Sequence, residues 1–192
     1  MLGAARMVGT AVPNAAPVLS ISSYSQESVN LSWTYSAAPD SYKVYKDSSL
    51  YTTTASTSQT VSGLKPNTSY SFYVVPVFGT TNGTASNVKT QQTANVNISL
   101  SVSAIGSTTC SLTWSVDNTT AYTYLNLMWL PGNDVSGGWR QYSNESPSSS
   151  GISIVGLLPS TQYWFYLQAS DSSTATGDVY GTSTTVTFTT NP

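Results

Sequence analysis

Two blocks of sequence occur twice in this chain, in the same order, and this duplication constrains the fold more than any other feature. Residues 29–33 (Val-Asn-Leu-Ser-Trp) return 81 positions later as residues 110–114 (Cys-Ser-Leu-Thr-Trp). Residues 63–74 return 93 positions later as residues 156–167, with the same glycine, leucine, proline, threonine and tyrosine positions. Two matches in one order indicate two copies of a single structural unit.

Both blocks alternate apolar and polar residues. Val29, Leu31 and Trp33 are separated by polar residues, which is the period of a strand with one buried face. In the second block a glycine and a proline precede an alternating run that includes Tyr70 and Phe72, so a turn leads into another strand. The pattern predicts β-strands packed around two separate cores.

One tryptophan and one tyrosine in each copy give the chain a resemblance to the fibronectin type III family. Trp33 and Trp114 resemble that family's core tryptophan on strand B, and the Leu-x-Pro-x-Thr-x-Tyr runs that end at Tyr70 and Tyr163 resemble its tyrosine corner. The resemblance implies an all-β chain of two tandem fibronectin type III-like (immunoglobulin-like) seven-stranded β-sandwiches. The core residues that it implies are Trp33, Leu64, Tyr70, Trp114, Leu157 and Tyr163.

At 192 residues the chain has room for two sandwiches of about 90–100 residues each. We predict an N-terminal arm at residues 1–16, a first domain at 17–94 and a second at 95–192. The second domain has longer C–C′ and F–G loops, the first of them around residues 131–138. The predicted strands are 18–22, 28–35, 42–46, 50–54, 58–62, 69–78 and 87–91, then 98–104, 109–116, 122–130, 139–143, 151–155, 162–169 and 184–189.

The distribution of charged and apolar residues argues against two classes of partner, nucleic acids and membranes. Only 7% of the residues are charged, and the six lysines and arginines are scattered along a chain of net charge −2. A nucleic-acid surface requires clustered cations, so we expect no nucleic-acid partner. No apolar stretch approaches the ~20 residues of a membrane helix, so we expect no membrane partner either.

The residue types needed for most catalytic chemistry are missing. The chain has no histidine, which removes Ser-His-Asp and Cys-His sites and the commonest metal ligand. Its single cysteine, Cys110, aligns with the inward-facing Val29 and is expected to fill the core. We therefore predict a non-enzymatic protein with no cofactor and no metal site.

An aromatic surface in the second domain is the main candidate for binding. Four of the five tryptophans lie in this domain, and strand parity places Trp164 and Tyr166 outward beside Tyr124 and Met128. The candidate binding residues are Tyr124, Met128, Trp139, Tyr142, Trp164 and Tyr166. Three interpretations remain open: an interface with protein subunits, a face covered by the chain's own C–C′ hairpin, and a platform on which a glycan stacks.

The composition also suggests a biological setting. Few charges, no disulfide framework and no signal-peptide core in the first residues, combined with modules of an extracellular type, favour a virion surface component such as a decoration, minor capsid or fibre protein. Its partners would be protein subunits, capsid proteins among them, reached through a docking arm that contains Leu2, Met7, Val8 and Val12. The alternatives are a secreted adhesion or carbohydrate-binding module, extracellular or at the cell surface, and a spacer beside an enzyme on another chain.

Overall fold

The computed structural model describes residues 13–132 and 138–192. The regular secondary structure of these residues consists of β-strands. All the strand pairs are antiparallel. The prediction of an all-β sandwich fold is confirmed. The predicted docking-arm residues Leu2, Met7, Val8 and Val12 lie outside the described residues.

The chain divides into two compact units. Among the described residues, the first unit consists of the chain up to Tyr24, Ser28–Gly63 and Ser69–Gln92. The second consists of Ser25–Glu27, Leu64–Thr68 and Thr93–Pro192, so it includes two short loops from the N-terminal half. The two units are defined by their internal contacts. The predicted domains, 17–94 and 95–192, are meant as parts that fold independently, and their limits remain a prediction.

The first unit has a three-stranded and a five-stranded sheet. Its strands are β1 (Val18–Tyr24), β2 (Ser28–Thr34), β3 (Ser41–Lys46), β4 (Ser49–Thr54), β5 (Ser58–Ser62), β6 (Ser69–Phe78), β7 (Thr81–Asn82) and β8 (Lys89–Gln92). The smaller sheet has the order β1-β2-β5, and the larger has the order β4-β3-β6-β7, with β8 also paired to β6. The outermost strands are therefore β1 and β5 in the smaller sheet, and β4 on one edge and β7 and β8 on the other edge of the larger sheet.

Alternate side chains from both sheets form the core of the first unit. Leu31 and Trp33 of β2 are 1% and 4% exposed, and Phe72 of β6 is fully buried. The indole of Trp33 packs edge-on against Tyr42 of β3, with ring centroids 5.3 Å apart. Burying a side chain such as Phe72 stabilises the fold by about 1.5–3 kcal/mol. The alternating apolar residues therefore stabilise the packing of the two sheets against each other.

A tight hairpin connects β3 to β4. Its two loop residues, Asp47 and Ser48, both have positive φ, 48° and 65°, as a type I′ turn requires. The Oδ1 atom of Asp47 accepts a hydrogen bond from the Ser71 amide at 2.8 Å, which ties the turn to β6. Further along β4, Tyr51 has no opposite residue, because Val44 pairs with Thr52 and the next residue pairs with Leu50. Tyr51 is therefore a β-bulge on an outermost strand.

The second unit repeats this architecture. Its strands are β9 (Ile98–Ser103), β10 (Thr109–Val116), β11 (Tyr124–Pro131), β12 (Arg140–Glu145), β13 (Gly151–Val155), β14 (Gln162–Ser170), β15 (Val179–Thr182) and β16 (Val186–Thr189). The smaller sheet has the order β13-β10-β9, and the larger has the order β12-β11-β14-β15, with β16 also paired to β14. The predicted strands 109–116 and 151–155 agree with β10 and β13 residue for residue.

The second core contains the repeated tryptophan and tyrosine. Trp114 and Tyr163 are 5% and 2% exposed, and Leu157 is 5% exposed. The amide of Leu158 donates a hydrogen bond to the Tyr163 hydroxyl oxygen at 2.9 Å, which is the contact of a tyrosine corner. Of the equivalent residues in the first repeat, Trp33 and Leu64 are buried, while Tyr70 is only half-buried.

The last strand of each unit is divided into two pieces, β7 and β8 in the first unit and β15 and β16 in the second. A buried serine lies in each gap. Ser86 accepts a hydrogen bond from the Val74 amide through its Oγ at 3.0 Å, and its own amide donates to the Val74 carbonyl. Ser183 makes the same two bonds to Leu167 of β14. The serine hydroxyl replaces a backbone partner, so the chain leaves the ladder there without orphaning a buried amide.

Candidate functional site

The outer face of the larger sheet is the candidate site in each unit, because the inner face is filled by the core. In the second unit, Tyr124, Trp164 and Tyr166 lie on this outer face and are partly exposed, and Trp139 at its edge is 40% exposed. The ring of Trp139 packs edge-on against Tyr166 with centroids 4.6 Å apart. Four of the six predicted residues thus lie on the outer face or at its edge and are at least partly exposed.

Tyr142 does not belong to the outer face, and its predicted orientation was wrong. On β12 the pairing passes from Leu127 with Ser143 to Met128 with Gln141, which leaves Tyr142 as an unpaired bulge residue. The bulge shifts the alternation of the strand, so the side chain turns inward. Its ring packs against Trp129 at 5.7 Å and against Phe165 at 6.1 Å, and it extends the aromatic core.

Met128 lies opposite Tyr166 in the strand register, as the parity argument requires, but it is only 4% exposed. The prediction that Met128 is exposed was therefore wrong. The hairpin that was expected to cover this face includes residues 133–137, which lie outside the described residues.

The long F–G loop also closes part of the same face. The Nδ2 atom of Asn126, a fully buried residue of β11, donates hydrogen bonds to the carbonyl oxygens of Ser172 and Thr174 at 3.1 and 3.4 Å. Gln141 of β12 donates through Nε2 to the carbonyl oxygen of Ser173 at 2.8 Å. The loop therefore lies over β11 and β12, and this outer face offers less open surface than its aromatic content suggested.

The equivalent face of the first unit carries a pair of tyrosines that the sequence analysis missed. Tyr45 of β3 and Tyr73 of β6 are register partners, and their rings stack with centroids 4.6 Å apart and planes 6° apart. Both are partly exposed, and Leu50, the β4 partner of Tyr45, is 53% exposed. Strand parity was sufficient to find this pair, because its neighbours Val44 and Phe72 are core residues.

A lysine lies beside the stacked tyrosines. Lys43 is two residues before Tyr45 on β3 and therefore on the same face, where it is the register partner of Val75. Its Nζ atom donates to the Oδ1 atom of Asn82 at 3.1 Å. The residues Lys43, Tyr45, Leu50 and Tyr73 are called the Tyr45–Tyr73 surface below.

Burial raises the pKa of the Cys110 thiol to about 11, which suppresses the thiolate at neutral pH. Over residues 13–132 and 138–192, no three His, Cys, Asp or Glu side chains lie close enough together to hold a metal ion. The structure also contains, over the residues that it describes, no helix with the length and apolarity of a membrane span.

Residues 15–92 match the fibronectin type III domain family. Receptor-type tyrosine-protein phosphatase eta of Gallus gallus is 33% identical over 148 residues, which cover 72% of this chain. The chain covers only 10% of that protein's length. A two-domain fibronectin type III segment of chicken tenascin superposes with a TM-score of 0.55 at 17% identity, over 92% of this chain and 99% of that segment. The tenascin likeness shows the fold.

Proposed function

Because the chain belongs to the fibronectin type III family, whose domains generally mediate protein–protein interaction or adhesion, we propose that it binds another protein through the Tyr45–Tyr73 surface. Its function is contact rather than catalysis. The proposal concerns this chain alone, since the chain covers a tenth of the phosphatase relative.

The stacked tyrosine pair is the observation that supports this proposal. Tyrosine is enriched at protein interfaces because a rigid ring with a polar hydroxyl buries a large area at low entropy cost. Tyr45 and Tyr73 each lie on a paired strand and each restrict the other's ring, so little conformational freedom remains to be lost on binding. Leu50 extends the pair with an apolar side chain that is 53% exposed.

The six-residue patch predicted in the second unit is a weaker candidate. Tyr142 and Met128 are withdrawn from it, and the F–G loop lies over its β11 side. Its remaining aromatic contact, between Trp139 and Tyr166, is made within the unit. A protein or glycan partner for this patch stays a prediction.

An array of extracellular proteins probed with the labelled chain tests the proposed surface. The variant Tyr45→Ser/Tyr73→Ser should lose the signals that the wild type gives, because both anchoring rings are gone. Tyr24→Ser is the matched control, since Tyr24 is a 53% exposed tyrosine of β1 on the other sheet. Circular dichroism and thermal melts must show that both variants are folded. If the double variant keeps every signal, the surface is not the binding site.

The extracellular or cell-surface setting is part of the same proposal, supported by the similarity to a receptor-type phosphatase. The virion-surface hypothesis is supported by composition alone, because neither the phosphatase nor the tenascin segment is a virion protein. Sedimentation separates the two settings: a decoration or fibre protein co-sediments with particles, whereas an adhesion module stays with cell surfaces or medium.

A further inference from the structure

We infer that the Tyr45–Tyr73 surface selects an acidic partner, a peptide segment that places a carboxylate on Lys43 and an apolar or aromatic side chain on the stacked tyrosines. This inference rests on the proposed function, since it concerns the partner of the same surface. Charge complementarity between Lys43 and a carboxylate of the partner supports this inference.

The charge of Lys43 is not balanced within the first unit. Its hydrogen-bond acceptor is the neutral amide of Asn82 at 3.1 Å, and the ion pairs found among the described residues do not include Lys43. Lys46, on the same strand, forms an ion pair with Asp47, with Nζ 3.4 Å from Oδ2. Lys43 is therefore the cation of this surface that has an amide rather than a carboxylate as its partner.

The nearby acidic side chains are engaged elsewhere. Asp40, just before β3, accepts a hydrogen bond from the Gly79 amide through its Oδ2 at 2.6 Å. Asp47 accepts from the Ser71 amide through its Oδ1 at 2.8 Å. Both carboxylates hold turns in place, and neither forms an ion pair with Lys43 among the described residues. A carboxylate brought by a partner gains a charge-assisted bond to Lys43, while a cation there is repelled.

The arrangement of the surface sets the spacing between charge and ring. Lys43 and Tyr45 are two residues apart on one strand face, a rise of about 6.6 Å. An acidic residue and an aromatic or aliphatic residue on one face of an extended segment have the same separation. The surface therefore fits an extended peptide in which one residue separates an acidic side chain from an aromatic or aliphatic one.

Random amino-acid copolymers provide probes of known chemistry. The full chain is titrated with a copolymer of glutamate and tyrosine, a copolymer of lysine and tyrosine, and polyglutamate, each at low and at high salt. The glutamate–tyrosine copolymer should bind best, because it alone supplies both the charge and the ring. Its affinity should fall as salt is added, since exposed charge pairs are screened.

Lysine variants test the assigned residue. Lys43→Gln should weaken binding of the glutamate–tyrosine copolymer by about fivefold at low salt, the size of one exposed ion pair. Lys43→Arg should retain most of the affinity. Lys89→Gln removes the same charge from an exposed residue of β8, on the opposite side of β6 from β3, and should have no effect.

Three results would overturn the inference. The first is equal binding by wild type and Lys43→Gln, and the second is a preference for the lysine–tyrosine copolymer. The third is self-association in sedimentation that Tyr45→Ser abolishes, because the occupant would then be a second copy of the chain. The first two leave the protein-binding proposal intact, which fails separately if Tyr45→Ser/Tyr73→Ser keeps its signals on the protein array.

Discussion

The indole nitrogen of Trp114 donates a hydrogen bond to the backbone carbonyl oxygen of Ser149 at 2.8 Å. The equivalent nitrogen of Trp33 is buried and has no acceptor among residues 13–132 and 138–192. The two copies therefore place the same side chain at the same core position but satisfy its polar atom differently.

Replacing each tryptophan with phenylalanine measures that difference. Trp114→Phe should destabilise the second unit by about 1–2 kcal/mol more than Trp33→Phe destabilises the first, because only the former breaks a hydrogen bond. Loss of ring volume is the same in both variants and cancels in the comparison. Chemical denaturation followed by circular dichroism gives the two free energies of unfolding. Equal costs would show that the bond to Ser149 contributes nothing.

The serines in the divided last strands should be unusually sensitive to alanine. Ser183→Ala removes the acceptor of the fully buried Leu167 amide, which should cost about 1–3 kcal/mol of the second unit's stability. Ser86→Ala should have a comparable cost in the first unit, where Val74 loses its acceptor. Ser153→Ala on the exposed face of β13 is the control and should change the free energy of unfolding by less than about 0.5 kcal/mol.

The stability of the second unit should fall in alkaline solution because of Cys110. Burial raises the pKa of its thiol from an ordinary 9.0 to about 11 in the folded state. Between these values the unfolded chain has released the proton that the folded chain retains, so stability is lost as pH rises through this window. At pH 10 the loss amounts to about 1.4 kcal/mol.

Cys110→Val tests this prediction, because valine occupies the equivalent position 29 in the first unit. The difference in unfolding free energy between wild type and variant should change by that amount between pH 7 and pH 10. Subtracting the variant removes other alkaline effects, including that of Tyr122, whose pKa burial raises to about 12. A difference that is constant with pH would contradict the assignment.

Asn87 should stabilise the edge of β1. Its Oδ1 atom accepts from the Leu19 amide at 2.8 Å, and its Nδ2 atom donates to the Leu19 carbonyl oxygen at 3.1 Å, so the side chain pairs with β1 as a neighbouring strand does. Asn87→Ala should cost about 1–2 kcal/mol in denaturant titrations. Asn87→Asp keeps an acceptor for the Leu19 amide but sets a carboxylate oxygen against the Leu19 carbonyl oxygen, so its cost should be at least as large. Wild-type stability in the alanine variant would mean that water replaces both bonds.

Strand periodicity was enough to predict strands and their inward faces, and the resemblance to the fibronectin type III family implied that they form sandwiches. Alternation at Val29, Leu31 and Trp33 placed β2 and its inward face correctly, because a strand with one buried face leaves the same pattern in any sequence. The bounds of β5 and β6 agree with the predicted strands 58–62 and 69–78, since turn residues flank both.

The candidate site was harder to predict, because it depends on local departures from that periodicity. A one-residue bulge turned Tyr142 inward, and no composition signal marks a bulge in Gln-Tyr-Ser. Burial of Met128 depends on contacts that parity does not describe. The Tyr45–Tyr73 pair follows from strand alternation alone, but the four tryptophans of the second domain favoured a binding site there instead.

The bulges on the outermost strands have a consequence for aggregation. Exposed sheet edges can pair with other chains, and proteins commonly prevent this with lysines on the edge strands. This chain has only six lysines and arginines in total. The edges of this chain are irregular instead, because Tyr51 forms a bulge in β4 and Tyr142 forms one in β12. The Tyr51 hydroxyl also accepts a hydrogen bond from the Ser62 amide of the outermost strand β5 at 3.2 Å. A protein that is only 7% charged can thus deter edge-to-edge polymerisation by shape rather than by electrostatic repulsion.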